Sequence, residues 1–252
     1  MIDSEFESWV RSRNLYSYIP AKLTKSENSS ESFVWGTLRV SPQVPKSKDR
    51  STWGSSLQLD SYHQQLLLAN SDEDLLLGFS SVVFWGYASG TDGIVRPARA
   101  MGKVRVFRDG RAGQAANSMD FILTRLKYAR DFAKDSKFCE ALLELMEIKH
   151  IGMSFASKLI MFMNPNSAAV YDSVIAERLS KTDKLDAMYI STSGSSAKHK
   201  IKQSDIYGRW CEFCTTSASK LNESGLQWTD WNADLNRFRA VDVERAFFSL
   251  GR

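Results

Sequence analysis

Between Met153 and Met163 the apolar residues Ala156, Leu159, Ile160 and Met163 recur at i, i+3, i+4 and i+7, the stripe that one face of a helix turns toward a core. Asn164, Pro165 and Asn166 end that helix, because proline has no amide hydrogen to continue the ladder. The same rhythm predicts a helix after the cap Ser118, with Ile122, Leu126, Ala129 and Ala133 on one side. It predicts another after Ser71, through Leu75, Leu76, Phe79 and Val83. Phe138 to Ile148, Tyr62 to Ala69, Asp205 to Leu221 and Asp234 to Leu250 read as further helices, and Phe6, Trp9 and Val10 mark a short one over Ile2 to Arg11. Phe33 to Val40 reads as a short strand. The polar run Lys25 to Ser32 before it reads as a flexible loop, and Pro42 and Pro45 after it break regular structure. The fold class is therefore mainly α with a small N-terminal β element.

A chain of 252 residues with 43% hydrophobic content can bury a substantial core and is not disordered as a whole. It shows no signal-peptide pattern and no apolar run near a membrane span, so a soluble, cytoplasmic monomer is expected. Three cysteines make no disulfide framework. Cys211 and Cys214 form a lone CxxC without the four ligands of a structural zinc site, so two helix-face cysteines, no metal and no cofactor are expected.

The net charge is only +4, yet Ile94 to Arg111 carries six basic residues against one acid, Asp109. With its glycines and Pro97, this segment reads as an irregular arm or short hairpin that tracks phosphates through Arg96, Arg99, Lys103 and Arg105; a solvated loop is the competing reading. Lys198, His199, Lys200 and Lys202, in a serine-rich stretch, read as a mobile surface loop.

The most informative spacing lies between Ile148 and Leu179. A tight turn with Gly152 leaves the first amides of the next helix pointing outward as phosphate donors, and Asp172 follows 20 residues later at the start of another helix. As N-cap or first-turn residue, Asp172 is favoured in its ionised form. A backbone grip beside one fixed carboxylate suits cleavage of a base from its sugar, since the carboxylate steadies positive charge on the sugar and orients the attacking water. The plainer reading is that Asp172 only caps a helix.

This stretch resembles the helix-hairpin-helix DNA glycosylase superfamily, and within it the 8-oxoguanine-glycosylase-like branch. The direct match spans about Phe138 to Leu179. Where the family hairpin has its first glycine this chain has His150, which tolerates positive φ less readily. Where strand-nicking members carry a nucleophilic lysine, two residues after the second glycine, this chain has Ser154. The resemblance thus implies a monofunctional enzyme in which Asp172 assists water, on double-stranded DNA with a damaged or modified base. Lys158, one turn beyond Ser154, is a candidate contact to the flipped base or, secondarily, a substitute nucleophile. Lys149, His150, Gly152 and Ser154 are the candidate backbone contacts. An extruded base needs a flat or apolar pocket, for which Trp85, Tyr87 and Tyr171 are candidates, with core packing the alternative for most aromatics.

The expected organisation is two helical lobes: residues 1–115 with the basic arm, 116–180 with the hairpin and Asp172, and 181–252 completing the cleft. Divergence from the family pattern favours removal of modified bases from phage DNA, as an antiviral defence, over repair of oxidised guanine. A DNA-binding module without catalysis is the alternative from another class.

Overall fold

Serine and aspartate side chains cap several of the helices in the computed structural model, which describes residues 4–27, 32–88, 94–182 and 185–250. α1 (Ser4–Leu15) is followed by β1 (Lys22–Lys25), β2 (Ser32–Trp35) and β3 (Leu38–Gln43). α2 (Ser56–Leu67), α3 (Asp72–Ala88), α4 (Pro97–Asp109), α5 (Met119–Lys134), α6 (Phe138–Leu145), α7 (Met153–Met163) and α8 (Ser173–Leu179) come next. α9 (Ala197–Glu223), the short β4 (Trp228–Thr229) and β5 (Leu235–Asn236), and α10 (Ala240–Ser249) complete the order. Ser71 Oγ accepts from the Asp74 amide at 3.3 Å and Ser118 Oγ from the Phe121 amide at 3.2 Å, as capping predicts. The buried apolar side chains form one contiguous cluster, with α3 and α7 buried along most of their length.

The β element is an antiparallel sheet in the order β1-β3-β2. Leu23 directs its amide to Ser81 on α3 and its carbonyl to the Tyr62 hydroxyl on α2, which ties the sheet to the helices. Pro42 sits in β3 opposite Leu23, two residues beyond Val40, which pairs with Ser32 of β2.

Several stretches differ from the sequence reading: Phe33 to Val40 is two strands, β2 and β3, α2 starts at Ser56 instead of Tyr62, and α10 starts at Ala240 instead of Asp234, because Leu235 and Asn236 form β5. The basic segment is no irregular arm: Pro97 opens α4 at its first turn, and Ala100, Met101, Val104 and Phe107 are its buried stripe. Arg99 and Arg105 are exposed on the other face and Lys103 is half-buried. Lys198, His199, Lys200 and Lys202 are likewise helical, because Ser196 Oγ caps α9 by accepting from the His199 amide, eight residues before the expected start at Asp205. Lys200 Nζ donates to Glu147 Oε1 and to the Met146 carbonyl, each at 2.9 Å, so it holds the turn between α6 and α7.

α10 is buried throughout, including Asp242, Glu244 and Arg245. Its position is fixed by ion pairs away from solvent. Arg245 Nη1 donates to Asp60 Oδ2 at 2.9 Å and Arg239 Nη2 to the same oxygen at 2.7 Å. Arg13 Nε, from α1, donates to Asp242 Oδ1 at 3.0 Å. Removing one partner from such a cluster strands a buried charge, so the cluster specifies how α10 docks on α1 and α2.

Candidate active site

The turn joining α6 to α7 is built around a left-handed residue. His150 has φ 73°, a left-handed conformation that a residue with a Cβ adopts less readily than glycine. Asn117 secures this strained turn from outside. Its Oδ1 accepts from the Lys149 amide at 2.9 Å, and its Nδ2 donates to the Lys149 carbonyl at 3.4 Å. Gly152 is the extended N-cap of α7 and provides no side-chain cap; the Phe155 amide donates to the Gly152 carbonyl at 3.0 Å, which leaves the Met153 and Ser154 amides to an outside acceptor. A shallow groove of about 460 Å³ runs beside the turn, lined by Gln114, Ala115, Lys149 and His150. Burial, helped by the charges of Arg111 and Lys149, holds the His150 imidazole below its usual range.

Asp172 is the N-cap of α8. Its Oδ1 accepts from the amides of Val174 at 3.0 Å and Ile175 at 3.2 Å, while its Oδ2 accepts from Lys158 Nζ at 3.0 Å. Burial works to raise its pKa, but the Lys158 charge and these three donors outweigh it and hold the carboxyl below the usual carboxylate range. Lys158 Nζ also donates to the Ser154 carbonyl at 3.4 Å, one turn back on α7. Helical periodicity therefore brings Lys158 to the carboxylate while Ser154 stays half-buried nearer the turn.

Behind this pair lies a cavity of about 20 Å³, walled by Tyr18, Trp85, Lys158, Asp172, Glu244 and Phe248 among others. Trp85 is buried there, packs on Tyr18 with ring centroids 4.7 Å apart, and has an unpartnered indole N–H. Tyr87 instead stacks on Phe155 at 4.5 Å, with Lys103 Nζ 5.5 Å from its ring. Phe155 in turn lies 5.7 Å from Lys158 Nζ, so a chain of contacts runs from α4 to the pair. Gly86 permits this approach, since a Cβ there would meet Phe155 Cε1 at 2.6 Å. Arg96 is the N-cap residue of α4 and its Nη1 donates to the Ile94 carbonyl at 3.5 Å, and Arg99, Lys103 and Arg105 extend along the helix's outer side.

Tyr171 does not join the cavity. Its hydroxyl donates to the Met188 carbonyl at 2.9 Å and accepts from the Ile190 amide at 2.9 Å, and its ring faces Trp210 in the core. Successive residues of extended backbone point to opposite sides, so the neighbour of Asp172 in sequence faces away from it. Glu244, Phe248 and Tyr18 were not picked out by sequence reasoning; the available signal was the apolar residues Val241, Val243, Ala246, Phe247 and Phe248 closely flanking Glu244. Cys211 and Cys214 are buried on α9, and burial pushes the Cys211 thiol up to about 12, which keeps it protonated. Among the described residues no three His, Cys, Asp or Glu side chains group as metal ligands, and no helix is long and apolar enough to cross a membrane.

The sequence profile of the family described as "Putative 8-oxoguanine DNA glycosylase OGG-like protein" matches residues 31–248. The chain belongs to that family, whose described activity is that of a DNA glycosylase and whose substrate is DNA. No curated protein and no solved structure matches it.

Proposed function

We propose that the protein is a monofunctional DNA N-glycosylase that extrudes a damaged or modified base and hydrolyses its bond to the sugar, leaving an abasic site. The observation that carries this reading is Asp172: a carboxylate with two amide donors and Lys158, kept ionised at the edge of a cavity. In this reading α6, the turn and α7 form a helix-hairpin-helix. The open amides at Gly152, with Lys149, His150 and Ser154, grip a phosphate, and the basic face of α4 tracks the flanking strand. Asp172 stabilises the positive charge that grows on the sugar and directs water to C1′. Lys158 positions Asp172 through its 3.0 Å bond and in this reading is not the nucleophile.

A cavity of about 20 Å³ holds roughly one water, so a base enters only as the aromatic walls part. We infer further that the base is a modified one from phage DNA, removed as antiviral defence. Support comes from the departures of this chain from the repair pattern, Ser154 in the lysine position and His150 in the turn.

The test is mass spectrometry of free bases released from several natural DNAs, including genomes of phages with modified cytosine, beside duplexes containing 8-oxoguanine. Release from phage DNA supports the full reading. Release from 8-oxoguanine duplexes alone refutes the defence role and keeps the glycosylase. Binding without release on every DNA leaves a binding module. The 3.0 Å contact between Lys158 Nζ and Asp172 favours one second reading, in which Asp172 takes the lysine proton and the amine attacks C1′. That route predicts a covalent adduct trapped by borohydride, which the monofunctional route does not form.

A further inference from the structure

The cavity wall contains a second carboxyl group to which the mechanism above gives no task. Glu244 is 4% exposed, lines the cavity together with Asp172 and Lys158, and has no hydrogen-bond or ion-pair partner among the described residues. Its neighbours in the same region differ: Asp60 and Asp242 are fully engaged by Arg13, Arg239 and Arg245, which leaves no arginine for Glu244. A buried carboxylate without a donor is costly, whereas the neutral acid is tolerated and has a proton to give.

The groups facing Glu244 support the neutral form. Asp172 at the start of α8 is negative, and Lys158 on α7, Arg13 on α1 and Arg245 on α10 are positive, both arginines being already paired. Tyr16 after α1, with Tyr207 and Cys214 on α9, completes the surroundings, each kept neutral by burial. Burial and the charge of Asp172 prevail over the cations and push the Glu244 carboxyl up to about 8. Two carboxyl groups at one cavity with acidities driven apart is the arrangement by which a site runs acid and base chemistry together. The buried indole N–H of Trp85 also lacks a partner in this wall, so the cavity's free groups offer protons and would receive a ligand edge of acceptors.

We propose that Glu244 is the general acid of base release, giving its proton to a ring nitrogen or exocyclic oxygen of the extruded base while Asp172 accepts the proton of the attacking water. The proposal rests on the glycosylase reading. As the C1′–N bond breaks, its electron pair goes to the base, which the proton from Glu244 neutralises. The water oxygen bonds C1′ and its proton passes to Asp172. Glu244 is left as carboxylate and Asp172 as acid, and exchange with solvent restores both.

The test uses the full chain and whichever DNA yields free base in the mass-spectrometric screen, in single turnover from about pH 6 to 9, with wild type and Glu244→Gln. Glutamine keeps the shape and neutrality of the acid but has no proton to transfer. The wild-type rate is expected to fall as pH rises through about 8, and Glu244→Gln to be slower by about 10²–10⁴-fold, without that alkaline limb and with unchanged DNA affinity. Infrared difference spectra of the DNA-free protein give a readout independent of activity: a protonated-carboxyl band that disappears above about pH 8 and is absent in Glu244→Gln. Absence of that band overturns the proposal. A Glu244→Gln variant that releases base at the wild-type rate overturns it too and leaves the glycosylase intact. A band present with no base released from any DNA refutes the glycosylase reading and, with it, the acid role.

Discussion

Replacing Asp172 by asparagine separates its charge from its capping role. Asparagine is as good an N-cap as aspartate, so Oδ1 continues to accept from Val174 and Ile175, and α8 keeps its start. What is lost is the partner of Lys158, whose side chain is 9% exposed against 18% for Asp172. Stranding one member of a fully buried pair costs about 3–5 kcal/mol; partial solvent access at this pair reduces that to about 1–3 kcal/mol. For a chain of this size the melting temperature should drop by about 2–10 °C. The rate of base release should drop by about 10²–10⁴-fold, since the carboxylate no longer directs water, while DNA affinity stays near wild type. Adding Lys158→Met removes the stranded charge and should recover most of the lost stability without restoring the rate. Single-turnover base release and thermal melting on wild type and the two variants measure both effects. Asp172→Asn with the rate and melting temperature of wild type would refute the reasoning. The sign with pH follows from the lowered acidity constant: the pair stabilises fully above the ordinary carboxylate value of 3.8 and fades as pH falls toward the depressed folded value.

Glu244 behaves oppositely: the folded state keeps its proton up to about 8 while the unfolded chain releases it near 4.5, so stability declines as pH rises through that window. Glu244→Gln should therefore raise the melting temperature more at pH 8 than at pH 5, and equal shifts would count against a buried acid. Arg99→Ala with Lys103→Ala should weaken binding to any DNA and flatten the salt dependence of log K by about 2, read in titrations at several ionic strengths. Gly86→Ala places a Cβ 2.6 Å from Phe155 Cε1 and must displace the ring stacked on Tyr87, at a cost of about 1–3 kcal/mol in denaturant unfolding.

What was legible in the sequence followed local rules. The bounds of α7 and the capping role of Asp172 depend on periodicity and on side chains within a few residues, and both stand as read. α4 was less legible because its glycines and six nearby basic residues have the composition of a loop, although Pro97 marks its start and Ala100, Met101, Val104 and Phe107 form its stripe. α9 was started late because serines and lysines in its first turns resemble a loop until Ser196 is seen as a cap. Tyr171 shows the limit of adjacency, since extended backbone sends it to the core and Asp172 to the cavity. Glu244 was illegible for a tertiary reason: an acid on a helix is ordinarily solvated, and only the docking of α10 through Arg13, Asp60 and Asp242 buries it.

The bond from Arg13 to Asp242 spans 229 positions of sequence, and the last helix furnishes Glu244 and Phe248 to the cavity wall. During synthesis, then, a growing chain owns the turn and the carboxylate of Asp172 well before it owns a closed chamber around them. Maturation of the pocket waits on a very long loop closure, a slow event compared with local helix formation. A ribosome-bound precursor without α10 lacks the wall that Glu244 and Phe248 supply.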